Sequence, residues 1–105
     1  MINLNVEEFE KQIIATNCEQ LIDVRSSEEF EKGCIPNAKN INVNSVVFRH
    51  EIEKLDKSKP VLIYCLSGGR SGSAAEIFRE AGFQAVYNLL SGINAWTKAG
   101  KPIKQ

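Results

Sequence analysis

The segment CLSGGRS, residues 65–71, holds the residue types in this chain that are best suited to chemistry. It directly follows the apolar run VLIY and comes just before SAAEIF, a segment with helical spacing. The two glycines let successive main-chain amides turn toward one point, and the following helix adds its unpaired amides and the positive end of its dipole. Such a ring of donors stabilises a thiolate or a bound anion, and it predicts a lowered pKa for Cys65.

A lone cysteine at a strand end is more often a small buried hydrophobe. The glycines, the arginine and the helix start nearby favour a nucleophile here.

Four charged or polar residues accompany this cysteine. Arg70 offers a full positive charge and a planar fork that can hold a sulfonate or phosphate group. Ser71 can donate to the Cys65 sulfur and also cap the next helix, and these two roles are compatible. Asp23 and Arg25 end another apolar run, and there a structural ion pair that braces the loop is favoured over substrate binding.

The other cysteines and the single histidine carry weaker signals. Cys34 could act as a resolving thiol, but a small buried filler is favoured. Cys18 has no polar motif around it. His50 lies in the charged segment RHEIEK, which is typical of a solvated helix face.

These residues must be positioned by alternating strands and helices. Capping-box patterns at Asn5 and Ser26 predict two helix starts, and Gly33 and Gly82 predict two helix ends. Alternating β and α units predict an α/β fold with a mainly parallel sheet and helices on both faces. Ligands in such folds bind at the carboxyl ends of the strands, where Cys65 falls. The predicted strands are QLIDV, residues 41–43, VLIY and AVYNL; the predicted helices begin at Asn5, Ser26, Asn44, Ser73 and Gly92.

Length and composition limit the protein class. The 105 residues predict a single domain, 1–105, with 43% hydrophobic and 25% charged residues, and thirteen basic side chains balance thirteen acidic ones. We therefore expect neither a nucleic-acid partner nor a membrane partner. The start of the chain has no signal-peptide pattern, and three cysteines at spacings of sixteen and thirty-one suit neither a disulfide framework nor a metal site. We expect a cytoplasmic monomer.

Three stretches together resemble the single-domain rhodaneses, a family of sulfurtransferases. They are LIDVRSSEEFEKGCIPNAKNINV, VLIYCLSGGRSGSAAEIFREAGF and VYNLLSGINAW, and they cover nearly the whole chain. Cys65, Gly68 and Arg70 match the active loop of the family. The GHIPGA segment of the family appears here with Cys34 in place of its histidine and Asn37 in place of its second glycine. Leu66 stands where several members carry a charged residue.

The resemblance implies a rhodanese-like three-layer α/β/α sandwich with about five strands, and a double-displacement reaction. The Cys65 thiolate would take the outer sulfur of a small anionic donor such as thiosulfate, or of a persulfide, and pass it to a thiophilic acceptor. Cyanide, a thiol and a protein are candidate acceptors, and the reaction needs no metal and no organic cofactor. The implied roles are catalysis by Cys65, substrate binding by Leu66, Ser67, Gly68, Gly69, Arg70 and Ser71, and structural support by Asp23 and Arg25.

Two other functions remain open from sequence. Cysteine-dependent phosphatases and arsenate reductases share this architecture, but they place five residues between cysteine and arginine, whereas this loop has four. A shorter ring suits one added sulfur better than a phosphate. A non-catalytic rhodanese-like binding module is the second alternative, although inactive relatives usually lack the cysteine.

Overall fold

The computed structural model describes all residues, 1–105, as one five-stranded parallel sheet with five helices. The strand order is β1-β5-β4-β2-β3, and every neighbouring pair runs parallel. The α/β fold with a parallel sheet is therefore confirmed. The elements are β1 (Ile2–Leu4), α1 (Val6–Ala15), β2 (Leu21–Asp23), α2 (Ser27–Lys32), β3 (Lys39–Asn40), α3 (Phe48–Ile52), β4 (Val61–Tyr64), α4 (Gly69–Glu80), β5 (Val86–Leu89) and α5 (Gly92–Lys98).

Helices cover both faces of the sheet, so the apolar core has two halves. On one face α3 and α4 pack against the sheet, and Phe78 makes edge-to-face contacts with Phe48 and Phe83. On the other face α1 and α5 bury Phe9 and Trp96. Every residue of β2 and β4 is buried, which explains why these two strands read as continuous apolar runs.

Both predicted capping boxes are present. The Asn5 side chain accepts from the Glu8 amide and the Glu8 carboxylate accepts from the Asn5 amide, each at 2.9 Å. The Ser26 hydroxyl and the Glu29 carboxylate make the same reciprocal pair at the start of α2. Each box satisfies amides that the first helical turn leaves free, and this fixes where the two helices begin.

Three predicted boundaries need correction, and one strand was not predicted. β3 is Lys39–Asn40 instead of residues 41–43, although Ile41 and Val43 still donate main-chain hydrogen bonds to the β2 segment. α3 begins at Phe48 instead of Asn44, because turns occupy the intervening residues. α4 begins at Gly69, four residues before Ser73, since Gly68 adopts a positive φ that redirects the chain early. β1 was missed because it has three residues, two of them exposed.

None of the helices is long and apolar enough to cross a membrane.

Candidate functional site

Cys65 lies at the carboxyl end of the central strand β4, with only 1% of its surface exposed. The amide of Gly68 donates a hydrogen bond to the Cys65 Sγ at 3.0 Å. Gly68 has a φ of 118°, a backbone conformation that a residue with a Cβ rarely adopts, and α4 begins at the next residue. The glycine therefore turns the chain back over the sulfur, and the helix begins four residues after Cys65.

The surroundings of Cys65 favour its thiolate. Burial acts to raise the pKa of this thiol, but hydrogen bonds from the Ser71 hydroxyl and from the amides of Ser71, Gly68 and Ser67 outweigh it and lower the pKa below its ordinary value. The Ser71 hydroxyl also lies 3.2 Å from the Gly68 carbonyl oxygen, so it can donate to either acceptor. We call this concave arrangement of donors from Ser67, Gly68 and Ser71 the bowl, and the Cys65 sulfur lies at its base.

The start of α5 fixes the same loop from the side of β5. The amides of Ile93 and Asn94 donate to the carbonyl oxygens of Cys65 and Leu66, at 2.9 and 3.1 Å. This contact is close because residue 92 is a glycine with a φ of 59°. A Cβ there would lie 2.4 Å from the Cys65 carbonyl oxygen, well inside contact distance.

Arg70 is engaged by a carboxylate from α2. Its two terminal nitrogens lie 2.7 and 2.9 Å from the two carboxylate oxygens of Glu29, and both side chains are about one-third exposed. The hydrogen bond from Arg70 lowers the pKa of Glu29 to about 2, although partial burial opposes the shift. The hydrogen bond to Glu29, and to a smaller extent the charge of the Cys65 thiolate, raise the pKa of the Arg70 guanidinium.

Asp23 and Arg25 form a buried ion pair beside the loop. The Arg25 Nη2 lies 2.8 Å from Asp23 Oδ2, and the side chains are 5% and 0% exposed. Arg25 also donates to the Gly33 carbonyl oxygen at 2.6 Å, and its guanidinium carbon lies 5.9 Å from the centroid of the Tyr64 ring. The pair ties the end of β2 to the end of α2 and to the residue before Cys65.

The remaining residues singled out from sequence lie elsewhere. Cys34 is buried in the wall of a cavity between α2 and the C-terminal segment, and burial raises the pKa of its thiol. Cys18 lines a different cavity, and His50 is exposed on α3.

The sequence patterns predicted Glu29 only as a helix cap and Gly92 only as the start of a helix. Their contacts with the loop are long-range, and no local pattern reports them.

The sheet, the helices and the strand–cysteine–glycine–helix loop define an α/β protein with a buried cysteine at the carboxyl end of its central strand. A family model for the Rhodanese-like domain matches residues 5–99, and the chain belongs to that family. A protein of Allochromatium vinosum named sulfurtransferase is 33% identical over 104 residues, which cover 98% of this chain and 95% of that protein. The thiosulfate sulfurtransferase GlpE of Coxiella burnetii is 39% identical, over 78% of this chain and 74% of its own length.

Solved structures agree with this fold. The rhodanese-like domain protein of Staphylococcus aureus superposes with a TM-score of 0.82 at 28% identity, covering 100% of both chains. The rhodanese-related protein of Thermoplasma volcanium gives a TM-score of 0.85 at 25% identity, with 99% and 98% of the chains covered.

Proposed function

We propose that this protein is a sulfurtransferase that carries a sulfane sulfur as a persulfide on Cys65. The observation that carries this proposal is the Cys65 thiol at the end of β4, which accepts hydrogen bonds from main-chain amides and has a lowered pKa. A thiolate is the reactive form of cysteine, and the same donors would hold the anionic persulfide that follows. The names of the Allochromatium and Coxiella relatives support this class of reaction.

The reaction has two steps. In the first, the Cys65 thiolate attacks the outer sulfur of a donor such as thiosulfate; the sulfur–sulfur bond of the donor breaks, and its electron pair leaves with sulfite. In the second, an acceptor nucleophile attacks the outer sulfur of the Cys65 persulfide, and the electron pair of that bond returns to Cys65 as thiolate. Each step exchanges one sulfur–sulfur bond for a bond from sulfur to the incoming nucleophile, so the protein needs no external oxidant or reductant.

The dimensions of the bowl support sulfur as its cargo. Four residues separate Cys65 from Arg70, and Cys65 itself is almost fully enclosed. One added sulfur atom is smaller than a tetrahedral phosphate and needs a narrower ring of donors. We propose a small anionic donor such as thiosulfate or a persulfide, and an acceptor that is cyanide, a thiol or a protein. A protein acceptor is consistent with the 32% identity to a putative sulfur carrier protein of Bacillus subtilis, half of whose length is matched.

The proposal is tested by the intact mass of the protein after incubation with thiosulfate and removal of the free donor. The expected product carries a single added sulfur, which cyanide then removes as thiocyanate. Cys65→Ser should take up no sulfur, whereas Cys18→Ser and Cys34→Ala should take it up as wild type does. Sulfur uptake by Cys65→Ser, or none by any donor in wild type, would overturn the mechanism.

A further inference from the structure

Glu29 links the cap of α2 to residues 65–71, the candidate active loop. Its Oε1 accepts from the Ser26 amide at 3.2 Å and from the Ser26 hydroxyl at 3.0 Å, and the same oxygen accepts from Arg70 at 2.7 Å. Since the capping box fixes the carboxylate from its own helix, Arg70 comes to a position that α2 has already set. The contact joins residues forty-one positions apart in the chain.

This contact changes the charge that a donor meets. Arg70 is the only charged residue between Cys65 and Ser71, and Leu66, the residue after Cys65, presents an apolar side chain to solvent. Both terminal nitrogens of the guanidinium already face a carboxylate, so the pair carries no net charge. Asp23 likewise neutralises Arg25. Within the loop itself, what remains to attract an anion is the ring of amides and the N-terminus of α4, which together are worth a fraction of a charge.

We propose that Glu29, acting through Arg70, sets the charge selectivity of this site, by reducing the advantage that dianionic thiosulfate would otherwise have over sulfur donors with one negative charge or none. This inference rests on the proposed transfer of sulfur to Cys65. Glu29 is a specificity-determining residue that does not contact the reacting sulfur. Its negative charge offsets the attraction that Arg70 would exert on an incoming donor, and that attraction scales with the charge on the donor.

Two donors that differ by one charge isolate this effect. Thiosulfate is a dianion that leaves as sulfite, and methanethiosulfonate is a monoanion that leaves as methanesulfinate. In both reactions the Cys65 thiolate gains the same outer sulfur while the sulfur–sulfur bond of the donor breaks and its electron pair leaves with the oxidised sulfur. A change in the pKa of Cys65 or in loop stability affects both rates alike, so the ratio of the two kcat/KM values reports donor charge.

The experiment compares wild type with Glu29→Gln at low ionic strength, by quenched single-turnover sulfuration read as intact mass. Glutamine keeps the acceptor oxygen for Ser26 and removes the charge. Because the electrostatic interaction scales with the charge of the donor, kcat/KM should rise about fivefold for thiosulfate and about twofold for methanethiosulfonate. Glu28→Gln is the matched control, since Glu28 is exposed on the same first turn and has no ion-pair partner; its ratio should equal that of wild type.

Glu29→Ala provides a second variant if glutamine disturbs the fold, because the Ser26 hydroxyl still caps the amide of residue 29. It should shift the ratio in the same direction. Two outcomes would overturn this inference while leaving the proposed function intact: sulfuration with an unchanged ratio of the two kcat/KM values, or a fall in the thiosulfate rate in both variants. Either would mean that Glu29 holds Arg70 in a productive position. No sulfur uptake from either donor in wild type would overturn the proposed function and this inference together.

Discussion

Gly92 and the carbonyl oxygen of Cys65 are in such close contact that a Cβ on residue 92 would lie 2.4 Å from that oxygen. The same position has a φ of 59°, which side chains other than glycine rarely adopt. α5 can therefore donate its Ile93 amide to the Cys65 carbonyl only because residue 92 has no side chain. The conformation of the candidate active loop is set from β5 and α5 as well as from its own glycines.

Gly92→Ala should displace this loop. The added methyl must push the carbonyl groups of Cys65 and Leu66 away, and the donors to the sulfur then lose their alignment. We expect sulfur uptake to fall by about tenfold or more, since a displacement of about 1 Å at a reacting group can cost up to a hundredfold. Single-turnover sulfuration measures the loss, and circular dichroism checks the fold. Gly100→Ala is the control, because Gly100 also has a positive φ but no atoms near its Cβ. Equal losses in both variants would attribute the effect to backbone strain.

Ser71→Ala should shift the pH dependence of Cys65 reactivity upward. The hydroxyl of Ser71 stabilises the thiolate, so its removal raises the pKa of Cys65 toward the ordinary range. The thiolate fraction, and with it the alkylation rate, then rises at higher pH than in wild type. Peptide-resolved alkylation over a pH series separates Cys65 from the other two thiols. Ser67→Ala is the matched control, because Ser67 donates to the sulfur through its main-chain amide and not through its hydroxyl. Equal midpoints of the alkylation-rate pH profile in wild type and Ser71→Ala would refute the assigned hydrogen bond.

Aryl phosphates should not be hydrolysed by this protein. The four-residue spacing between Cys65 and Arg70 gives a bowl sized for one sulfur, and Arg70 is held by Glu29. A colorimetric phosphatase assay alongside thiosulfate sulfuration makes the comparison. Insertion of one glycine between Gly69 and Arg70 should reduce sulfur uptake, because it moves the start of α4 and its amides away from the sulfur. Rapid phosphatase turnover by the unmodified chain would favour the alternative class.

Asp23→Asn should destabilise the fold strongly. It leaves the buried Arg25 guanidinium without its counter-charge, a change that typically costs about 3–5 kcal/mol. The free energy of unfolding is measured by urea denaturation. Glu19→Gln provides the comparison, because Glu19 and Lys59 form an ion pair of 2.6 Å that is about half exposed, and its loss should cost under about 1 kcal/mol. Similar small costs for both variants would show that the buried pair contributes little.

Local sequence patterns were sufficient for much of the architecture. The capping boxes at Asn5 and Ser26 and the apolar run VLIY each depend on neighbours within a few residues, and each appears where it was predicted. The predictions of the short strands were less accurate. β3 has two residues and β1 has three, so neither carries enough periodicity to place its ends, and sheet pairing decides them.

The sequence by itself determined that a cysteine follows a buried strand and that glycines and a helix start come after it. These features are consecutive in the chain, and the carboxyl ends of parallel strands always meet at one edge of the sheet. Only the tertiary structure decided what the loop touches. Glu29 reaches Arg70 across forty-one residues, and Gly92 reaches the Cys65 carbonyl from α5. Neither contact leaves a local signal, because each depends on how α2 and α5 pack beside the sheet. The charge that Arg70 presents is therefore a property of the fold and not of the loop sequence.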